Sequence, residues 1–346
     1  MPLTWKANMA YQRLFFDRLM LGINVKYAHT FNNYHYVHRN LAEEPAFQLG
    51  QESNRPVFVP TETIDPETGR TNPLEGRITN EVGRVLELAS PGEASQRALI
   101  LEADYRFTDA SSVSLSYAYN DTENNSNYQC CLSVTSTWTP VAEDPRALVW
   151  GPSHRGFRHR VVAYGVLPEL WGFRLSGRYV GQSGSPFSLM VNGDINGDGT
   201  ESNDIAYVFD PDDPATPTEV AEGIRSVMDN PDSFAADCIR KNIGRIAGRN
   251  SCQAPWRGRI DLRLSKKFET FQGQSAELVL DIFNFANLLN PEWGGQYNFG
   301  TKETLLNVEG FDTEARAYEY SVNENVGVTR KGGAPYQVQL GVRYAF

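Results

Sequence analysis

The amino-acid sequence predicts an all-β protein: a transmembrane antiparallel β-barrel with long extracellular loops. Three observations lead there. Apolar side chains recur at every second position in about nine segments, the usual length of each matching a membrane-spanning strand. The connections between these segments alternate strictly between short and long. No apolar run reaches the roughly 18 residues of a transmembrane helix. A spanning strand needs only about 10 residues, of which every second one faces lipid, so a barrel of this kind looks polar on average.

The alternation is clearest at the C-terminus. Tyr336, Val338, Leu340, Val342, Tyr344 and Phe346 share one face, and Gln337, Gln339, Gly341, Arg343 and Ala345 share the other. Successive side chains of a strand point to opposite faces, so one face is apolar and the other polar. At the N-terminus Leu3, Trp5, Ala7, Met9 and Tyr11 repeat the pattern, followed by Leu19, Leu21, Ile23, Val25 and Tyr27. Leu99, Leu101, Ala103, Tyr105 and Phe107 come next, then Val113, Leu115, Tyr117 and Tyr119. Val162, Tyr164 and Val166 are read as the apolar row of the following strand, and Phe173, Leu175 and Tyr179 as that of the one after. Trp256, Ile260, Leu262 and Leu264, then Ala276, Leu278, Leu280 and Ile282, complete the series.

Short turns fall near residues 13–17, 108–111, 168–170 and 269–274. Long polar connections fall near 41–93, 121–158, 182–255 and 287–334. Tight turns at one end and extended loops at the other are the topology of an outer-membrane barrel, whereas structureless connections this long are foreign to a compact soluble domain. The last strand follows a long connection and so runs inward to end at Phe346; by parity the first strand runs the same way, which makes the strand count odd. A single-chain bacterial barrel disfavours that, because an open edge in lipid leaves backbone groups unpaired. Met1-Pro2-Leu3-Thr4-Trp5-Lys6 lacks the charged and apolar regions of a signal peptide. The expectation is therefore a fragment, with a signal peptide and earlier strands missing.

The composition agrees. Aromatics make up 12%, with 16 Tyr and 18 Phe beside 29 Gly and 19 Pro, a mixture suited to many strands and turns. The net charge of −10 argues against nucleic acid, whose phosphates call for a basic surface. Trp171, Trp256 and Tyr344 lie near strand ends, where aromatic belts meet the membrane interface.

Several pieces, taken in order, resemble a known family. They are Leu175-Ser176-Gly177-Arg178, Gln182-Ser183-Gly184-Ser185-Pro186-Phe187, Asp194-Ile195-Asn196-Gly197-Asp198-Gly199, Asn203-Asp204, Gly248-Arg249-Asn250-Ser251-Cys252, Pro255-Trp256 and Leu280-Asp281-Ile282-Phe283-Asn284-Phe285-Ala286-Asn287. From about Ala94 onward the chain is similar to the C-terminal barrel portion of TonB-dependent outer-membrane receptors of the Oar-like branch. The resemblance implies a barrel of about 22 strands plugged by an N-terminal domain, of which this chain would be a partial barrel domain over residues 1–346, without the plug or the TonB box. It implies uptake of a nutrient ligand driven through the TonB system, in a membrane of lipid and lipopolysaccharide. The alternative is a non-transporting adhesin or scaffold barrel. No hydrolase, P-loop or dinucleotide fingerprint is present, and an enzyme is not expected.

Asp194, Asn196 and Asp198, with Gly199 for the sharp turn, match the start of a DxNxDG calcium loop, in which alternate oxygens converge on a hard cation. The Thr200 carbonyl would add a ligand. Asp204 lies one residue short of the usual closing acid, and Glu201 is a substitute for it. The competing reading is a solvated acidic turn. Cys238 and Cys252 bracket a polar stretch; as a disulfide they would close a loop of roughly 15 residues and stabilise it by about 3 kcal/mol, and otherwise they are free thiols. Adjacent Cys130 and Cys131 scarcely bridge each other and would pair elsewhere or stay reduced. Arg174, Arg178, Arg257, Arg259 and Arg263 would line the lumen beside Glu102, Asp104, Asp261 and Glu277, paired with these acids or facing an anionic substrate. His29, His35 and His38 do not suit a shared metal, since positions three apart on a strand face opposite sides.

Overall fold

The computed structural model describes residues 1–128, 132–153, 156–201, 203–297, 300–328, 331–332 and 335–346. Cys130, Cys131 and His154 lie outside the described residues.

Nine antiparallel strands form one sheet in chain order: β1 (Leu3–Phe15), β2 (Leu19–His38), β3 (Leu86–Thr108), β4 (Ser111–Asn124), β5 (His159–Val166), β6 (Phe173–Gln182), β7 (Arg257–Glu269), β8 (Ser275–Phe283) and β9 (Gln337–Ala345). The short strand Gly151–Pro152 adds to the end of β4. β1 and β9 each pair on one side only, so the sheet does not close among the described residues.

Register carries the apolar rows across the sheet. Ile23 pairs with Tyr11 and Leu101, and Leu101 with Tyr117. On the far side Leu264 pairs with Leu175 and Leu280, and Leu280 with Leu340. Most of these side chains stand exposed, Leu340 at 82%, as does Met9 at 74%, while Tyr117 and Leu280 are half-buried. A continuous apolar face of this width is a surface for lipid rather than water.

One row departs from the sequence reading. Val162, Tyr164 and Val166 do not join the apolar face: Tyr164 pairs with Ser114 and Arg178, and Val162 with Ser116. Val161, Ala163 and Gly165 occupy that face, with Ala163 opposite Leu115 and Tyr179. β5 carries apolar residues in both phases, so its own pattern leaves the phase open, and pairing with β4 and β6 decides it. A Cβ at Gly165 would lie 2.7 Å from the Ser112 carbonyl oxygen, a position that requires glycine.

Aromatic side chains mark the short-turn end. Phe16, Trp171 and Phe271 project from three of the four turns, and Phe346 ends the chain there, all nearly fully exposed. Trp5 and Trp256 lie toward the opposite end. From Trp5 to Phe16 the chain advances about 36 Å at ~3.3 Å per residue; at the ~45° tilt of spanning strands this is a height of about 25 Å, that of an outer-membrane apolar band. β2 and β3 run well past this height. Irregular pairing between Thr30 and His35, with Asn32 at φ 55°, marks the bulge where they leave it.

The long connections are where the structure departs most from expectation. They are not irregular loops but fold together into one lobe. Its central sheet joins Cys252–Gln253, Pro186–Asn192, Lys302–Asp312 and Ala317–Val322 in that order, with the middle pair parallel. Helices Thr218–Asp229 and Ala236–Asn242 pack beside it. Phe187, Leu189, Val191, Ile195, Ile205, Ile224, Ile239, Leu305 and Leu306 belong to its core, and every residue of that core comes from a connection. Strand Pro186–Asn192 is buried on both faces through Val191, which explains why apolar residues fill both phases of it, broken only by Ser188. Val220, Ile224 and Val227 recur at helical spacing on the buried side of the first helix.

Leu101→Arg, midway down the apolar face, is expected to cost about 2–4 kcal/mol of folding stability in a bilayer. Ser116→Arg, on the polar face opposite Glu102, should change it little. Reversible denaturant unfolding in lipid vesicles measures both, and equal effects would contradict the assignment of faces.

Candidate functional site

Arg55 is the hub of the lobe. Its side chain is 1% exposed. Nε donates to Glu52 at 3.1 Å, Nη1 lies 3.6 Å from Asp204, and Nη2 donates to the Ile205 carbonyl. Glu52 in turn accepts from the Tyr320 hydroxyl at 2.6 Å. The first, third and fourth long connections are thereby tied at one point. Arg84 adds a second tie, donating to the carbonyls of Asp198 and Gly199 and to the Thr137 hydroxyl.

Asp194, Asn196, Asp198, Thr200 and Asp204 gather in one segment directly after strand Pro186–Asn192. Asp194 accepts from the N–H groups of Gly197 and Gly199, at 2.8 and 2.9 Å, and from the Thr71 hydroxyl at 3.1 Å. Asn196 accepts from Asp198 N–H at 2.8 Å, and Asp198 from Thr200 N–H at 2.7 Å. Asn203 donates to the other Asp198 oxygen at 2.8 Å. Asp204 reaches back to Ile195 N–H at 3.0 Å. Gly197 and Gly199, at φ 74° and 81°, hold the left-handed conformations the turn needs. Glu201 is exposed, so of the two acids weighed for the closing position it is Asp204 that lies against the loop.

The carboxylates here are poorly solvated. Burial, with repulsion from Asp198, pushes Asp194 up to about 7, although its edge still reaches solvent. Burial likewise raises Asp198. It raises Asp204 well above the usual range, Arg55 opposing the rise while Asp194 and Asp198 add to it. Among the described residues no three His, Cys, Asp or Glu side chains gather in a way that alone would hold a metal.

Cys238 and Cys252 form a disulfide, with Cα atoms 5.4 Å apart, that joins helix Ala236–Asn242 to the central sheet. Arg249, within the resembling Gly248–Cys252 piece, donates to the carbonyls of Asn124 and Val149, while its Nε is buried without a partner. Burial brings its pKa down to about 10. With Lys302, lowered to about 8 by burial against the pull of Asp204, it lines a 420 Å³ pocket that also holds Asn33, Tyr128 and Trp138 and has no acid on its described wall.

On the polar face of the sheet most arginines are paired. Arg263 meets Asp281 at 2.6 Å, Arg259 meets Asp261 at 2.7 Å, and Arg174 approaches Glu169 at 3.8 Å. Arg178 and Arg257 form no ion pair among the described residues, and both line a 510 Å³ pocket with Phe283 and Asn284. His29, His35 and His38 are each engaged within the protein. His29 pairs with Glu93 at 3.1 Å, and His38 accepts from Asn40 N–H. Buried His35 lies 3.2 Å from the Arg146 carbonyl, to which Nε2–H donates, while Nδ1 accepts from Asn127 N–H at 3.3 Å.

The sequence reading missed Glu52, Arg55, Arg249 and Tyr320, whose partners lie far away in the chain and are met only through long-range folding. A usable signal was present in the Phe187–Val191 apolar run and in the 3.6-residue spacing of Val220, Ile224 and Val227.

A sheet with an exposed apolar band, aromatic rims and all its long connections at one end defines a β-barrel of the bacterial outer membrane. Residues 2–305 match the outer membrane beta barrel domain family, and the chain belongs to it. The outer membrane is its location, and membership accords with a structural or transport role without catalysis. No curated protein matches the chain. Among solved structures it is similar to the outer membrane transporter YddB from Escherichia coli, with a TM-score of 0.43 and 8% identity over 99% of this chain and 32% of that one. The chain thus spans about a third of that transporter's length.

Burial is the main cause that lowers the pKa of His35 below the ordinary 6.5, and Arg249 assists it against the Arg146 carbonyl. A depressed folded pKa contributes stability that is complete above about 6.5 and is lost as pH falls toward the folded value. Asp194 acts with the opposite sign, since its raised pKa favours the fold at low pH. The difference between wild type and His35→Gln in protease resistance of the lobe, followed from pH 7.5 to 5, isolates the histidine. The wild type should lose more resistance than the variant on acidification, and parallel curves would refute this. Reducing the Cys238–Cys252 bridge should weaken the lobe by about 3 kcal/mol, read as faster cleavage between the two cysteines, and unchanged cleavage would contradict it.

Proposed function

We propose that the chain is part of the barrel domain of a TonB-dependent receptor that takes up a nutrient ligand. One observation carries this reading: the long connections build a single folded lobe with its own core at the end opposite the short turns. A barrel that serves only as a wall has no need for such a lobe, whereas a receptor needs a rigid surface that meets its ligand outside the cell. The lobe presents the Arg249 and Lys302 pocket, and below it the sheet presents Arg178 and Arg257. The ordered series of sequence pieces shared with Oar-like receptors supports the same reading. In this reading the whole protein carries a plug, and contact with TonB supplies the energy for uptake.

The full-length protein, purified from native outer membranes, should bind the purified periplasmic domain of TonB in surface plasmon resonance. A protein that inserts normally yet shows no such binding would instead be an adhesin or scaffold barrel.

A further inference from the structure

We propose that the segment from Asp194 to Asp204 is a calcium site, with ligands from the side chains of Asp194, Asn196, Asp198 and Asp204 and from the Thr200 carbonyl. The spacing supplies oxygen donors at alternate positions, and the backbone N–H groups of the turn hold both oxygens of Asp194, the amide oxygen of Asn196 and one oxygen of Asp198 in place. The observation that points to a ligand is separate from that geometry. The Thr200 hydroxyl, the Asn203 carbonyl oxygen and one oxygen of Asp204 are all buried and accept no hydrogen bond. Asp198, Thr200 and Asn203 also wall a small cavity of about 30 Å³ together with Asn127, Ser136 and Thr137. That is room for one ion or one water, and buried polar atoms rarely go without a partner.

Charge favours the ion. Asp194, Asp198 and Asp204 crowd one region with Glu52 close by, and Arg55 is already shared between Glu52 and Asp204. A buried carboxylate without a counter-charge is costly, and a divalent cation offsets two at once. The donors are all oxygens, which select a hard cation over zinc or copper. A mixed set of carboxylate, amide and carbonyl oxygens suits the irregular coordination of calcium better than the octahedron that magnesium demands. Three of these ligands are acids, Asp194, Asp198 and Asp204, and the Asn196 amide and Thr200 carbonyl oxygens complete the set. The bound ion would brace the lobe, since Thr71 and Arg84 of the first connection clamp this same loop.

The test uses the full chain, folded in lipid or detergent. Calcium chloride is titrated into chelator-treated protein by calorimetry, and thermal unfolding is followed in chelator, calcium and magnesium. The expected result is one ion per chain, with a Kd of roughly 0.1–1 mM as in extracellular modules, and a melting temperature that rises with calcium and much less with magnesium. Asp198→Asn keeps the side-chain shape and removes one charge. It should melt higher than wild type in chelator and lose the calcium response. No binding by folded wild type at 10 mM calcium, an equal response to magnesium, or a full calcium response in Asp198→Asn would each overturn the assignment.

Discussion

A sheet that gives one face to lipid and the other to a wet interior encloses no hydrophobic core of its own. Everything else in this chain follows from that constraint. β1 to β9 are held by backbone pairing and by the membrane, and their apolar rows remain exposed. The buried core lies wholly in the connections, which pack against one another above the apolar band. Arg55 helps make that packing one body, because it binds groups from the first and third connections and, through Glu52, the fourth, while Arg84 ties in the second through Thr137. Its desolvated charge is tolerable only while those partners stay in place, so the lobe is specified by the network as well as by its apolar interior.

The barrel portion was legible because its physics is local. Period-two alternation from Leu3 to Tyr27 and from Tyr336 to Phe346 gives strand, face and span together, and the short turns fall where the pattern breaks. β5 was misread in phase because Val161, Val162 and Val166 put apolar side chains on both faces, and only its neighbours fix the register. The lobe was largely illegible for the opposite reason. Its central pairing of Ser188–Asn192 with Lys302–Asn307 joins residues more than a hundred positions apart, and no window along the chain contains both. The acidic loop stood out as a motif, yet the arginine that balances it lies in another connection and carries no local signature.

On the receptor reading proposed above, these two parts divide the work. The sheet supplies a lipid-matched frame with aromatic rims at Phe16, Trp171 and Phe271. The lobe supplies shape and polar pockets, one of them lined by Arg249 and Lys302, features that have no role in lipid but suit recognition of a solute. Family membership places the frame in the outer membrane. The rigid lobe is the reason to read the frame as part of a receptor.

On this arrangement the lobe and the short turns lie on opposite sides of that membrane. Epitope tags inserted beside Asp212, on the exposed surface of the lobe, and between Asp109 and Ala110, in a short turn, test it directly by antibody labelling of intact cells. The first tag should be labelled on intact cells and the second only after the outer membrane is permeabilised. Labelling of both tags, or only of the second, on intact cells would contradict it.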